Sequence, residues 1–175
     1  MLATRWSIEP YLDIYRLTDK GLPVVSDLAV GENEANYPVF GDALRLVEVT
    51  IAPDAVVPGE LVRVDLSWRA LETPSTVNVD LFVLKDSQGD AVQYFAVEQG
   101  HGLLPSREWP QGAVVSEFYD LLIPHYVAPG RYSLELAVGD GSAFIQATAG
   151  ASGERFQWLV LGKFDVIGGT ADTEG

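Results

Sequence analysis

The sequence contains no cysteine. A disulfide framework and a thiolate metal site are therefore excluded, and the redox compartment is left open. Positive charge is scarce: 11 Lys and Arg stand against 25 Asp and Glu, a formal net charge of −14. A surface of that sign repels nucleic acid phosphates and anionic lipid head groups, and its plainest effect is solubility. No nucleic acid partner is expected. No apolar run approaches the roughly 18 residues that a membrane helix needs, so no transmembrane segment of its own is expected. The start, Met1-Leu2-Ala3-Thr4-Arg5-Trp6, lacks the apolar stretch of a secretory signal. Two expectations remain open, a cytosolic protein or a piece cut from a longer chain. Helical periodicity is also missing, with no convincing 3.6-residue repeat over about ten residues or more.

What the chain does have is a strand cadence. Its 175 residues are 47% hydrophobic, enough for one domain with a sizeable core. Leu44 to Ile51 reads as a strand, and turns follow at Pro53-Asp54 and Pro58-Gly59-Glu60. Leu61 to Ala70 alternates cleanly, with Val62, Val64, Leu66 and Trp68 on one face and Arg63, Asp65, Ser67 and Arg69 on the other. Val77 to Lys85 is expected to turn Val77, Val79, Leu81 and Val83 inward. Asp86-Ser87-Gln88-Gly89-Asp90 is a hairpin turn into Ala91 to Val97. Val114 to Ile123 and the strand opened by Pro129-Gly130-Arg131-Tyr132 are expected to form an antiparallel pair. Phe144 to Thr148 reads as a weak pairing segment, and Arg155 to Leu161 as a last strong strand with Phe156, Trp158 and Val160 on one face. The predicted core is Val64, Leu66, Trp68, Val79, Leu81, Val83, Tyr132, Leu134 and Leu136.

The order of Phe40-Gly41-Asp42-Ala43-Leu44-Arg45-Leu46, Val57-Pro58-Gly59-Glu60, Leu66-Ser67-Trp68-Arg69-Ala70, the Asp86 to Asp90 hairpin, Pro105-Ser106 to Trp109 and Pro129-Gly130-Arg131-Tyr132 carries a resemblance. It resembles the extracytoplasmic β-sandwich module at the carboxyl end of bacterial polytopic, mannosyltransferase-like glycosyltransferases. The resemblance spans residues 37–140 or so and has no counterpart of those enzymes' catalytic membrane portion. It implies an extracytoplasmic, cell-surface location beside a sugar-handling membrane enzyme, and it carries no catalytic residue onto this sequence.

The residues themselves offer little chemistry. Without cysteine, only His101 and His125 are available as bases for a nucleophile, and no nucleophile motif accompanies them. No enzyme activity, cofactor or metal is expected. Asp86, Asp90, Asp140 and Glu98 are oxygen ligands of the kind calcium takes, but Asp86 to Asp90 is equally a good hairpin turn. Sugar C–H surfaces stack on exposed rings, which makes Trp109, Tyr119, Tyr94 and Tyr126 the candidate ligand-binding residues. For Trp109 the plainer expectation is a loop anchor plugging one end of the sandwich.

The sequence thus predicts an all-β immunoglobulin- or fibronectin-III-like antiparallel β-sandwich over 37–167, an N-terminal extension over 1–36, and a flexible tail over 168–175. Leu2, Trp6, Ile8, Tyr11, Leu12, Ile14, Tyr15 and Leu17 are too many large apolar side chains for a solvated linker. Ile14 to Leu17 is expected either to add an edge strand or to dock on a partner. The expected function is a non-catalytic extracytoplasmic accessory or interaction module tied to a protein partner or parent membrane enzyme. The alternatives are a carbohydrate-binding module and a structural subunit of a larger surface assembly.

Overall fold

The computed structural model describes residues 24–26, 36–150 and 152–168. The expected edge strand at Ile14 to Leu17 and all but the first residue of the expected tail lie outside these.

Two sheets stack face to face. The first holds β1 (Val24–Ser26), β2 (Val39–Phe40), β3 (Leu44–Ala52), β5 (Leu61–Ala70), β8 (Val114–Leu122), β11 (Ala147–Thr148) and β12 (Arg155–Phe156), in the order β1-β8-β5-β3-β2-β11-β12. The second holds β4 (Ala55–Val56), β6 (Val79–Lys85), β7 (Ala91–Glu98), β9 (Gly130–Gly139) and β13 (Leu159–Val166), in the order β4-β13-β9-β6-β7, with β10 (Phe144–Ile145) paired to β9. Pairing is antiparallel apart from the short contact of β4 with β13, which is parallel. The succession of β3, β5 and β8 in one sheet and β4, β13, β9, β6 and β7 in the other is the immunoglobulin order of strands.

Alternation explains the core. Val62, Val64, Leu66 and Trp68 of β5 point inward and are buried, as their period of two predicts. They meet Leu134, Leu136 and Phe82 from the second sheet in one cluster. Tyr132 opens β9 with its ring in that cluster and its hydroxyl donating to the Ala128 carbonyl at 2.7 Å. This tie, from the start of a strand back to the corner before it, is the tyrosine corner of immunoglobulin-like sandwiches.

Three expectations need correction. β8 and the strand after Pro129-Gly130 do not pair. β8 lies between β1 and β5, whereas β9 lies between β13 and β6, so the segment between them carries the chain from one sheet to the other. Arg155 to Leu161 is not one strand: β12 ends at Phe156 in the first sheet and β13 begins at Leu159 in the second. Finally, β6 is turned over. Asp80, Phe82 and Leu84 face the core, and Val79 and Leu81 are only half-buried. Val83 is buried, but on the outer face. Both faces of this strand are apolar enough to pass for a core face, and the inward one carries a carboxylate that finds partners inside.

Candidate functional site

Asp80 is the centre of a buried polar cluster between the sheets. It is completely buried, and both its oxygens accept hydrogen bonds: Oδ1 from Gln99 Nε2 at 2.8 Å and Oδ2 from the Tyr119 hydroxyl at 2.9 Å. Glu117, two residues before Tyr119 on β8, also points inward and accepts from the Gly100 backbone N–H at 2.7 Å. Gln99 Oε1 is buried here without a hydrogen-bond partner, and the Trp68 indole and the Tyr119 hydroxyl act on the Glu117 carboxyl. Burial, and for Asp80 the charge of Glu117 as well, pushes both carboxyls up: Asp80 well above the usual carboxylate range, Glu117 to about 7. His101 packs its ring against Tyr119 at 5.1 Å and Phe118 at 6.0 Å. Burial lowers its pKa, against a backbone hydrogen bond at Phe118. The Gln99–Gly102 turn packs against the cluster, and His101 within it is half-buried.

The four ring candidates separate. Trp109 is fully buried, its indole N–H donating to the Leu104 carbonyl at 2.8 Å, and Tyr119 belongs to the cluster just described. Neither presents a ring face to solvent, because each has its polar tip bonded inside the sandwich. Tyr94 and Tyr126 are exposed, at 55% and 67%. They approach one another through Gln93: the Tyr126 hydroxyl donates to Gln93 Oε1, and Gln93 Nε2 donates to the Tyr94 carbonyl at 2.8 Å.

Tyr94 is part of a larger surface. Register aligns Tyr94 of β7, Val83 of β6, Glu135 of β9 and Val160 of β13 in one row across the outer face of the second sheet. Trp158, just before β13, lies 6.5 Å from the Tyr94 ring and 5.8 Å from that of Phe144. Three rings thus run Phe144–Trp158–Tyr94 across the sheet. Lys85 Nζ sits 6.0 Å from the Trp158 ring centre and pairs with Glu135 at 2.7 Å. Val83 and Ala137 point the same way and are buried, so rings and ion pair roof this part of the sheet. The result is an exposed apolar strip with a donor–acceptor pair set into it. It offers ring faces for stacking and charged groups for hydrogen bonds.

Trp158 and Phe144 were missed by sequence reasoning. Reading Arg155 to Leu161 as one strand put Trp158 on the same face as Phe156, and only the sheet change at Gln157-Trp158 separates them. Two of the four carboxylates considered for calcium, Asp86 and Asp140, serve their own turns. Asp86 Oδ1 accepts from the backbone N–H groups of Gln88 and Asp90, and Asp140 Oδ1 from those of Ser142 and Ala143. The Ser142 hydroxyl, which donates to the same oxygen at 2.7 Å, and after it those backbone bonds hold Asp140 down at about 2. Among the described residues no group of three or more potential ligands could hold a metal ion, and no helix is long and apolar enough to cross a membrane.

No protein-family model matches the chain, and no curated protein matches it. Among solved structures it is similar to the C-terminal domain of wzt, with a TM-score of 0.52 and 12% identity over 79% of this chain and 81% of that one. A β-D-mannosidase from Dictyoglomus thermophilum (TM-score 0.38, 17% identity, 67% of this chain and 13% of that one) and the CARDB domain of PF1109 from Pyrococcus furiosus (TM-score 0.35, 13% identity, 76% and 94%) are too distant to carry an argument. At such identity the likeness to the wzt domain is one of fold, and the fold it shares with this chain is β-rich.

Proposed function

We propose that this chain is a non-catalytic binding module that holds carbohydrate on the outer face of its second sheet. The observation that carries the reading is the Phe144–Trp158–Tyr94 row, its outer rings exposed and Trp158 half-buried between them, with the Lys85–Glu135 pair beside it. Rings stack on sugar C–H faces, and a paired Lys and Glu bond hydroxyls without leaving an uncompensated charge. The absence of catalysis is part of the proposal. His101 is packed into rings, and His125 lies over the backbone of Gly59. An extracytoplasmic place beside a cell-surface glycosylation enzyme belongs to the same reading and rests on the sequence resemblance.

One observation favours a second reading, docking of a protein partner by strand addition. Among the described residues β7 is the longer edge strand of the second sheet, and Glu98 at its end is its one charged residue.

Affinity electrophoresis through soluble mannan, with an acidic polysaccharide gel for contrast, tests the first reading. Retardation in one of the gels is expected, and Tyr94→Ala and Trp158→Ala should each weaken it. A ring worth about 1 kcal/mol corresponds to roughly fivefold in affinity. No retardation in either gel, or retardation indifferent to both substitutions, sinks the reading.

A further inference from the structure

The Gln99–Gly102 turn is held in an unusual way. Three successive residues have positive φ: Gly100 at 75°, His101 at 53° and Gly102 at 69°. His101 is the non-glycine among them, and a side chain there is uncommon. The turn therefore needs outside support, and that support comes from the polar cluster. Asp80 grips the Gln99 side chain, Glu117 grips the Gly100 N–H, and the Asn78 carbonyl accepts from the Gln99 N–H at 2.9 Å. Two of these three anchors are carboxyl groups buried in one cluster, and the charge of Glu117 is felt at Asp80.

Two carboxylates ionised side by side in a low-dielectric interior repel one another. A proton on one of them removes the repulsion. It also turns a buried acceptor into a donor, in a cluster where Gln99 Oε1 is a buried acceptor without a partner. The titratable groups packed around the pair are Tyr119 from β8 and His101 from the turn itself. Trp68 approaches from β5 with an uncharged indole, and Leu136 and Val138 face the interior from β9.

We propose that Asp80 and Glu117 act as a proton-held latch on the 99–103 turn: a proton kept within the pair seats the turn, and loss of that proton to solvent releases it together with the adjoining end of β7. The consequence falls on β7 because among the described residues this strand has a neighbour on one side only, β6, and its last residue, Glu98, runs straight into the turn. The two sheets keep the rest of their contacts, so the opening is local.

Hydrogen exchange by NMR on the full chain, from about pH 5 to about pH 8, tests the latch after correction for intrinsic rates. The expected result is a loss of protection of about tenfold or more at Gln99, Gly100 and Leu104, with Val64 and Leu134 holding theirs. Glu117→Gln keeps an acceptor for the Gly100 N–H and cannot ionise, so its turn should stay protected across the range. A flat profile in the wild type, an unchanged profile in Glu117→Gln, or equal loss at Val64 and Leu134 overturns the proposal. If Glu117→Gln does not fold, the wild-type side-chain carboxyl carbon of Glu117 serves instead. Its ¹³C shift must titrate in step with the loss of protection at Gly100, and titration out of step, or none, overturns the latch.

Discussion

Glu117 sits in the sandwich interior, accepting from the Gly100 N–H, with the Trp68 indole and Tyr119 hydroxyl acting on the same carboxyl. Its environment penalises charge, and so does that of Asp80. The consequence for stability has a definite sign. A carboxyl raised in the folded state binds a proton that the unfolded chain has already lost, so the folded state is favoured at low pH and loses ground as pH rises. For Glu117 the window runs from its ordinary 4.5 to about 7, and Asp80 acts in the same direction. Urea denaturation is expected to show stability falling by roughly 3 kcal/mol between those limits from Glu117 alone, at 1.36 kcal/mol per unit. Glu117→Gln should flatten most of that slope, and a slope equal to that of the wild type would place its origin elsewhere.

At the scale of elements, β9 does the most to hold the two layers together. It pairs with β6 and β13 and sends Tyr132, Leu134 and Leu136 into the core. Leu134→Ala removes a fully buried side chain with little room to collapse, and is expected to cost about 2–5 kcal/mol in chemical denaturation. A loss below about 1 kcal/mol would mean that Leu134 is not in the core. Tyr132→Phe leaves the ring in place and removes only the bond to the Ala128 carbonyl. About 1–2 kcal/mol is expected, partly because that carbonyl then loses its partner. The corner before β9 and the break between β12 and β13 have one function in common, since each moves the chain from one sheet to the other. A strand that ends a pairing in one layer is followed by one that starts a pairing in the other, and the Trp158 ring reaches the outer face at such a crossing.

Across the whole molecule, the acidic balance and the roofed sheet face point to different partners. A net charge of −14 sets up a field that repels polyanions. In gel-shift experiments at about 0.1 M salt, the protein is expected to leave duplex DNA unshifted. A shift that weakens with added salt would reveal a basic patch strong enough to overcome that field. The aromatic strip, by contrast, includes a charge pair that is internally balanced, so binding there should change little with ionic strength. What the sequence determined by itself is the strand content, the turns at Pro58-Gly59 and Asp86 to Asp90, and the inward face of β5. Each follows from local steric preference or from a period-two pattern with one clearly polar side. What only the tertiary structure decided is which face of β6 is inside, which strands share a sheet, and which rings reach the surface. Val79, Leu81 and Val83 look more like a core face than Asp80, Phe82 and Leu84 until Tyr119 and Gln99, from distant parts of the chain, supply Asp80 with its bonds. Trp158 and Phe144 are separated by 14 positions in sequence, and they meet only because β10 and β13 pair one after the other along the same edge of β9, the edge opposite β6. Long-range pairing makes that surface, and no local pattern records it.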